Sequence, residues 1–439
     1  MLQNLFGGLQ GIVDHAMVGH YVVFVGNAAV GASLQIFILV IVFVASVFTG
    51  TGVLVSRFAG AGDAEKVNRV VYQALLVTLV MALGVLAPVG WFASPFLLEL
   101  VKATPEVQAA ALPFLRILFV SSIGMMLFYM FSGALRAAGD AQTPMRLGIV
   151  MTIVNVILNL MLIPKYGPAG SAIGTAIASV LVGGVFVWML FSNRLVIHFS
   201  RSMSFGPDWP LIKSLFKFGL PAGVQGIVMN IGGVLMLRFM GSMPESAETQ
   251  AAYAVAYSEL FSLVTWTSVG LMGAAAAVAG QNLGAGHPDR SAAGVGVAAR
   301  IGLAAAATIG VLFVFIPHLL LGVFGMTDGR VVEIGRELLA YLAVSGFFVT
   351  VALTYTGGLQ GTGDTKGPMY ISLASQVLVP IGLCTILQAT RGLQASDIWL
   401  AIVIGHFTRC MLSVYRFRQG KWRHIPVDVT PAPIPSAEP

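Results

Sequence analysis

The chain has 439 residues, 57% of them hydrophobic and 10% charged, with a mean hydropathy of +0.88. Water-soluble domains carry roughly 25% charged residues, so these few charges cannot cover a soluble surface and the natural solvent is lipid. The formal net charge of +6 is spread over short loops rather than gathered on one face, which argues against a nucleic-acid partner. Cys384 and Cys410 lack metal-ligand spacing and support neither a disulfide framework nor a zinc site.

Apolar runs long enough to cross a bilayer recur along the whole chain, and they are continuous rather than alternating, which favours helices over a barrel. In chain order the expected spans are 1–19, 30–55, 70–93, 112–134, 145–164, 169–192, 216–240, 251–280, 299–320, 338–359, 369–389 and 397–415. The first run lacks the basic start and cleavage site of a secretory signal and contains Asp14, so it is expected to be a retained helix. The fourth span carries Met125, Met126, Phe128, Tyr129, Met130 and Phe131. Such residues suit a pliable cation-binding surface, but they are also ordinary packing residues. The fifth span places Asn155 and Asn159 four residues apart, on one helix face.

The longest polar connection, 193–214, follows the sixth span and carries Arg194, Arg201, Asp208 and Lys213. It divides the chain into an expected six-helix lobe over 1–192 and a second over 215–415, with a cytoplasmic tail over 416–439. In the second lobe Glu259 lies early in the eighth span, and His406 and Arg409 lie in the last. Pro221, Pro317 and Pro380 are candidate bends. The Pro-rich tail beyond Trp422 is expected to be unstructured.

The two lobes repeat one another. Gly60-Ala61-Gly62 recurs as Gly284-Ala285-Gly286, and Leu135, Gly139, Asp140, Pro144 and Met145 recur as Leu359, Gly363, Asp364, Pro368 and Met369, both at an offset of 224. Six spans per half make the repeats parallel, with a pseudo-twofold axis along the membrane normal. The repeated turns lack the Gly-Lys-Ser/Thr ending of a phosphate loop, so they are read as structural and the driving energy as an ion gradient. With the termini inside, most of the 24 Lys and Arg residues fall in cytoplasmic loops or the tail, Arg409 counted among them, as the positive-inside rule requires.

Asp14 and Glu259 are the acidic residues placed within apolar runs. A charge at that depth is costly and marks an ion or substrate path, or else finds a partner. Asp14 can be a coupling carboxylate or an acid reaching the outer interface. Glu259 can neutralise a cationic substrate or pair with Arg238.

The ordered set of motifs resembles the multidrug and toxic compound extrusion (MATE) family across essentially the whole chain. It comprises Val13-Asp14-His15-Ala16-Met17-Val18-Gly19, Gly60-Ala61-Gly62-Asp63, Leu135-Arg136-Ala137-Ala138-Gly139-Asp140, Gly219-Leu220-Pro221, Gln281-Asn282-Leu283-Gly284-Ala285-Gly286 and Leu359-Gln360-Gly361-Thr362-Gly363-Asp364. The resemblance implies an all-α integral membrane fold of twelve helices in two six-helix lobes forming a V, alternating access, and export of amphipathic, often cationic compounds against protons or sodium. It implies no cofactor and no enzymatic activity, a multi-pass protein of a bacterial inner membrane with both termini cytoplasmic, and a monomer. Met229 stands where another bacterial branch carries a carboxylate, so the chain is most similar to the DNA-damage-inducible F (DinF-like) branch.

By the same resemblance Asp14 matches the first-span aspartate of a cation site, Asn155 and Asn159 match an Asn-x-x-x-Asp pair, and Thr175 matches a sixth-span threonine. Asn159 in place of Asp leaves one formal charge instead of two, which favours protons over sodium. The proline that precedes the family's aspartate falls before Met1, so the first helix is expected to be shortened. The competing reading, a flippase of lipid-linked glycans on a related two-lobed fold, calls for a basic cavity, whereas this chain places almost no Lys or Arg at mid-span.

Overall fold

The computed structural model describes residues 24–101, 104–199, 205–326 and 328–427. Asp14 and the first expected span lie outside the described residues. Among those described, the regular elements are all helical. They are α1 (Phe24–Gly60), α2 (Ala64–Leu100), α3 (Pro105–Val120), α4 (Ser122–Ala138), α5 (Gln142–Tyr166), α6 (Pro168–Phe191) and α7 (Trp209–Gly241). There follow α8 (Ser246–Gly284), α9 (Pro288–Phe315), α10 (Pro317–Val323), α11 (Gly329–Gly361), α12 (Lys366–Arg391) and α13 (Ala395–Arg418). Among the described residues nine of these helices are long and apolar enough to cross a membrane, and the bent pair α3–α4 makes a tenth. The second expected span falls in α1, a helix of 37 residues.

Two expected spans are broken. The fourth bends by 46° between α3 and α4, where Ser121 leaves helical geometry (φ −87°, ψ 2°) and its hydroxyl donates to the Ile117 carbonyl at 2.7 Å, a side-chain bond that competes with the helical ladder. The ninth stops at Phe315. Pro317 offers no N–H and crowds the residue before it, so Ile316 adopts φ −128°, ψ 38° and the chain restarts as α10. Pro221 and Pro380, by contrast, lie within α7 and α12. Pro380 lies two residues after the end of a π-helical turn, Ala374–Leu378, which accommodates the missing donor.

The connection after α6 is shorter than its polarity suggests, because α7 begins at Trp209. Asp208 holds that start: its Oδ1 accepts from the Leu211 N–H at 3.3 Å and its Oδ2 meets Arg69 at 2.6 Å. The beginning of the tail is also ordered. Trp422 is buried, stacks on Phe417 at 4.8 Å and donates its indole N–H to the Phe417 carbonyl.

Contacts divide the chain into two compact units. The first comprises residues 24–223, Gly280–Gly286 and 424–427; the second comprises Val224–Ala279 and His287–Arg423. In the first, Phe119, Phe131, Phe186, Leu54 and Leu115 are fully buried, with Phe131 stacked on Phe186 at 5.4 Å. Met126, Phe128 and Met130 are core residues here, whereas Tyr129 is exposed. In the second unit the core is built around Trp399, Phe261, Phe313, Leu338 and Leu339.

The repeat is visible in the backbone. Gly62 and Gly286 turn the chain at φ +74° and +78°, and Gly139 and Gly363 at +105° and +101°, a region that side chains strongly disfavour. Asp140 and Asp364 then cap the next helix with the same oxygen, accepting from Gln142 and Thr143 and from Gly367. Gly60 and Gly284 serve close approach instead. A Cβ at Gly60 would lie 1.9 Å from the Gln281 carbonyl oxygen, and one at Gly284 would lie 2.1 Å from that of Arg57. These two contacts, related by the repeat, fasten the end of α8 into the first unit.

Candidate functional site

Within the first unit, α5 and α6 pack side by side because the turn between them is tight. Gly167 adopts φ +57°, ψ −136°, and a Cβ at Gly170 would lie 2.4 Å from the Leu162 carbonyl. This pairing brings three of the expected site residues together. Asn155 and Asn159 are both 0% exposed and Thr175 is partly buried. The Asn159 amide donates to the Asn155 carboxamide oxygen at 3.3 Å, and the Asn155 amide donates to the Thr175 hydroxyl at 3.1 Å. Gly174 gives the cluster its room, since a Cβ there would lie 2.1 Å from Asn159 Oδ1.

Chemically the cluster offers two carboxamide oxygens and a hydroxyl at one depth of an apolar helix pair. These are hard donors of the kind alkali cations prefer, and they can equally hydrogen-bond a carboxyl group that gains and loses a proton. Placing such groups in a dry interior is unfavourable unless they are bonded, and the Asn159–Asn155–Thr175 relay satisfies the amide donors in sequence. Asp14, expected to complete the set, lies outside the described residues.

Glu259 belongs to the second unit. It is partly buried in a π-helical turn, Ala254–Leu260, within α8, a local unwinding often found at functional positions. Its backbone carbonyl accepts from the Ser262 hydroxyl at 2.6 Å. The alternative pairing with Arg238 is not formed: among the described residues neither side chain takes part in an ion pair. Arg409, counted above with the cytoplasmic charges, is instead 3% exposed in the interior of α13. The positive-inside count treats any basic residue near a span end as a loop charge, and only packing reveals that this one points inward. Trp399, on the same face of α13, carried no functional signal in the sequence.

Where α8 and α11 begin, the second unit carries an exposed network in which Arg330 meets Glu245 at 2.8 Å and Glu333 at 2.7 Å. The hydrogen bond from Arg330 holds the Glu245 carboxyl below its ordinary range.

The sequence matches the MatE family profile over residues 1–161 and 221–386, more than half of the chain. A probable multidrug resistance protein NorM of Thermotoga maritima is 24% identical over 96% of this chain and 90% of its own length. The multidrug resistance protein PmpM of Pseudomonas aeruginosa is 27% identical over 97% of this chain and 90% of its own. In fold, the chain superposes on a multidrug resistance MATE transporter of the MOP superfamily in its outward-facing conformation with a TM-score of 0.89, at 19% identity, covering 96% of this chain and 94% of that one. The eukaryotic MATE transporter AtDTX14 gives a TM-score of 0.83 at 19% identity over 96% of this chain and 93% of that one.

Proposed function

The chain belongs to the MatE family of membrane transporters, and from that premise we propose that it exports amphipathic, often cationic compounds by antiport with protons, sodium being the less favoured ion. The observation that carries this reading is the fully buried Asn155–Asn159 pair bonded to Thr175. It is an oxygen-rich cluster in an otherwise apolar helix pair, on the helices that the Asp14 motif pairs with by resemblance. In the proposed cycle Asp14 loses and regains a proton beside these amides. The single carboxylate, with Asn159 where relatives carry a second, makes a neutral occupied state reachable by one proton, whereas sodium would leave it with fewer charged ligands. Alternation between inward- and outward-open states then couples proton entry to substrate exit.

The relatives named as multidrug resistance proteins support small organic substrates, and the placement of polar groups at mid-helix supports a transport path. The test is efflux of ethidium from cells lacking their own exporters, followed by substrate-loaded vesicles given a pH jump or a sodium jump separately. Wild type should extrude ethidium and respond to the pH jump, and Asp14→Asn should abolish both. Normal extrusion by Asp14→Asn would overturn the coupling role, and a response to sodium alone would reassign the ion.

A further inference from the structure

The second unit holds a line of buried polar atoms that the cation-coupled reading does not use. Along α13, Trp399, His406, Arg409 and Ser413 are 0%, 4%, 3% and 0% exposed, and at 3.6 residues per turn they share an arc of about 80°. Trp399 Nε1, His406 Nδ1, Arg409 Nε and Ser413 Oγ are all buried without a hydrogen-bond partner among the described residues, as is Gln376 Nε2 on α12. Gln376 sits beside the same stretch, because a Cβ at Gly405 would lie 3.7 Å from its amide nitrogen and 2.6 Å from the Ser375 carbonyl.

The chemistry of these atoms is one-sided. An indole N–H, a guanidinium N–H and an amide NH2 can only donate, while imidazole and hydroxyl can do either. What the line lacks is a group that only accepts. It also lacks negative charge. Asp397 is taken by Arg391 at 2.5 Å, Asp364 by Arg416 at 2.7 Å and Asp289 by Arg423 at 3.0 Å, and no ion pair reaches Arg409 among the described residues. A lone guanidinium in a low-dielectric interior is among the least favourable groups to bury.

Opposite this face, α8 presents a ladder of rings at four-residue spacing. Tyr253 stacks on Tyr257 at 4.7 Å and on Trp399 at 6.2 Å, Tyr257 meets Phe261 at 5.6 Å, and Phe261 stacks on His406 at 6.1 Å. Tyr257 lies within electrostatic reach of Arg409. The donors are therefore flanked by flat apolar surface.

We propose that this face of the second unit is a binding site for a monovalent anion centred on Arg409, with His406 and Gln376 as further donors, and that the anion is the carboxylate of an aromatic solute or chloride. Guanidinium, imidazole and amide donors satisfy carboxylate oxygens through charge-assisted hydrogen bonds, and the ring ladder suits an aromatic body. Chloride offers the same acceptor chemistry without the body. The site is independent of Asp14 and of any ion gradient, so it stands or falls separately from the antiport reading.

The test is equilibrium binding of radiolabelled benzoate to the purified full-length protein in nanodiscs, in chloride-free sulfate buffer, with benzamide and chloride as competitors. Benzoate should bind saturably and benzamide should not compete. Arg409→Gln should weaken binding by at least about tenfold, the order expected for one lost charge-assisted bond, and Arg409→Lys should recover part of it. His406→Phe keeps a ring beside Phe261 and removes one donor, so it should weaken binding several-fold even if Arg409→Gln fails to fold. Displacement by chloride at millimolar concentration supports the site and names the halide as its ordinary occupant; indifference to chloride supports it and names the carboxylate. Absence of saturable binding of benzoate and of radiolabelled chloride to wild type, or equal binding by wild type, Arg409→Gln and His406→Phe, overturns the proposal.

Discussion

The polar interiors of the two units have opposite character, although the halves of the chain repeat one another. In the first unit the buried polar groups on α5 and α6 are neutral amides and a hydroxyl that pass hydrogen bonds from Asn159 to Asn155 to Thr175. In the second, the buried Trp399 Nε1, Arg409 Nε and Gln376 Nε2 on α12 and α13 are donors, one of them charged, and they meet no acceptor among the described residues. The repeat preserves turns and crossings, such as the left-handed Gly62 and Gly286, because backbone geometry admits few residues there. It does not preserve the interior chemistry, which each half has specialised.

The largest effect bearing on this comparison is expected where the repeat itself is fastened. Gly284→Val would place a side chain 2.1 Å from the Arg57 carbonyl oxygen, a backbone atom that cannot rotate away. Overpacking of this kind costs about 1–3 kcal/mol or more, and the variant should fail to accumulate as monodisperse protein in detergent. Wild-type yield and melting temperature would show that the second glycine motif does not fix α8.

Next come paired substitutions with opposite expected signs. Asn155→Leu removes the middle of the first unit's relay and takes one hydrogen bond from each of Asn159 and Thr175, which costs about 1–3 kcal/mol and should lower the melting temperature by several degrees. Arg409→Met, measured in chloride-free sulfate buffer, removes an unneutralised buried cation and should raise the melting temperature instead. Two changes of the same sign would erase the contrast between the units.

A functional change should follow from restoring the second carboxylate. Asn159→Asp adds a charge beside Asn155 and should make ethidium efflux rise with sodium at fixed pH, since hard cations bind more tightly as charged oxygens are added. Efflux as indifferent to sodium as the wild type's would remove the amide from the account of ion choice.

The smallest effect is expected at the exposed network of Arg330, Glu245 and Glu333, where Arg330→Ala should leave the melting temperature almost unchanged at neutral pH. Glu245 has its carboxyl held below the ordinary range chiefly by the hydrogen bond from Arg330. Its contribution is therefore present above the unfolded carboxylate value and is lost as pH falls through the lowered one. A melting temperature measured from pH 7 to pH 3 should show the slight difference between wild type and Arg330→Ala vanish at the acid end.

The sequence by itself determined the class of solvent, the order of the apolar helices from α1 onward and the family, because apolar length and the glycine, proline and aspartate turn chemistry act locally and leave a local record. It also placed Asn155 and Asn159 on one face, since a four-residue spacing on a helix is enough. Tertiary structure alone decided the rest. Pro317 already marked the break at Ile316 in the sequence, but the bend at Ser121 depends on a competing hydrogen bond, and the role of Gly60 and Gly284 depends on which backbone lies opposite. That Arg409 is buried and Glu259 unpaired with Arg238 could not be read from composition, because a charged residue near a helix end looks the same whether it reaches the interface or turns inward. Which of these occurs is set by the packing of α8, α12 and α13 around it, and by whether that packing supplies an acceptor.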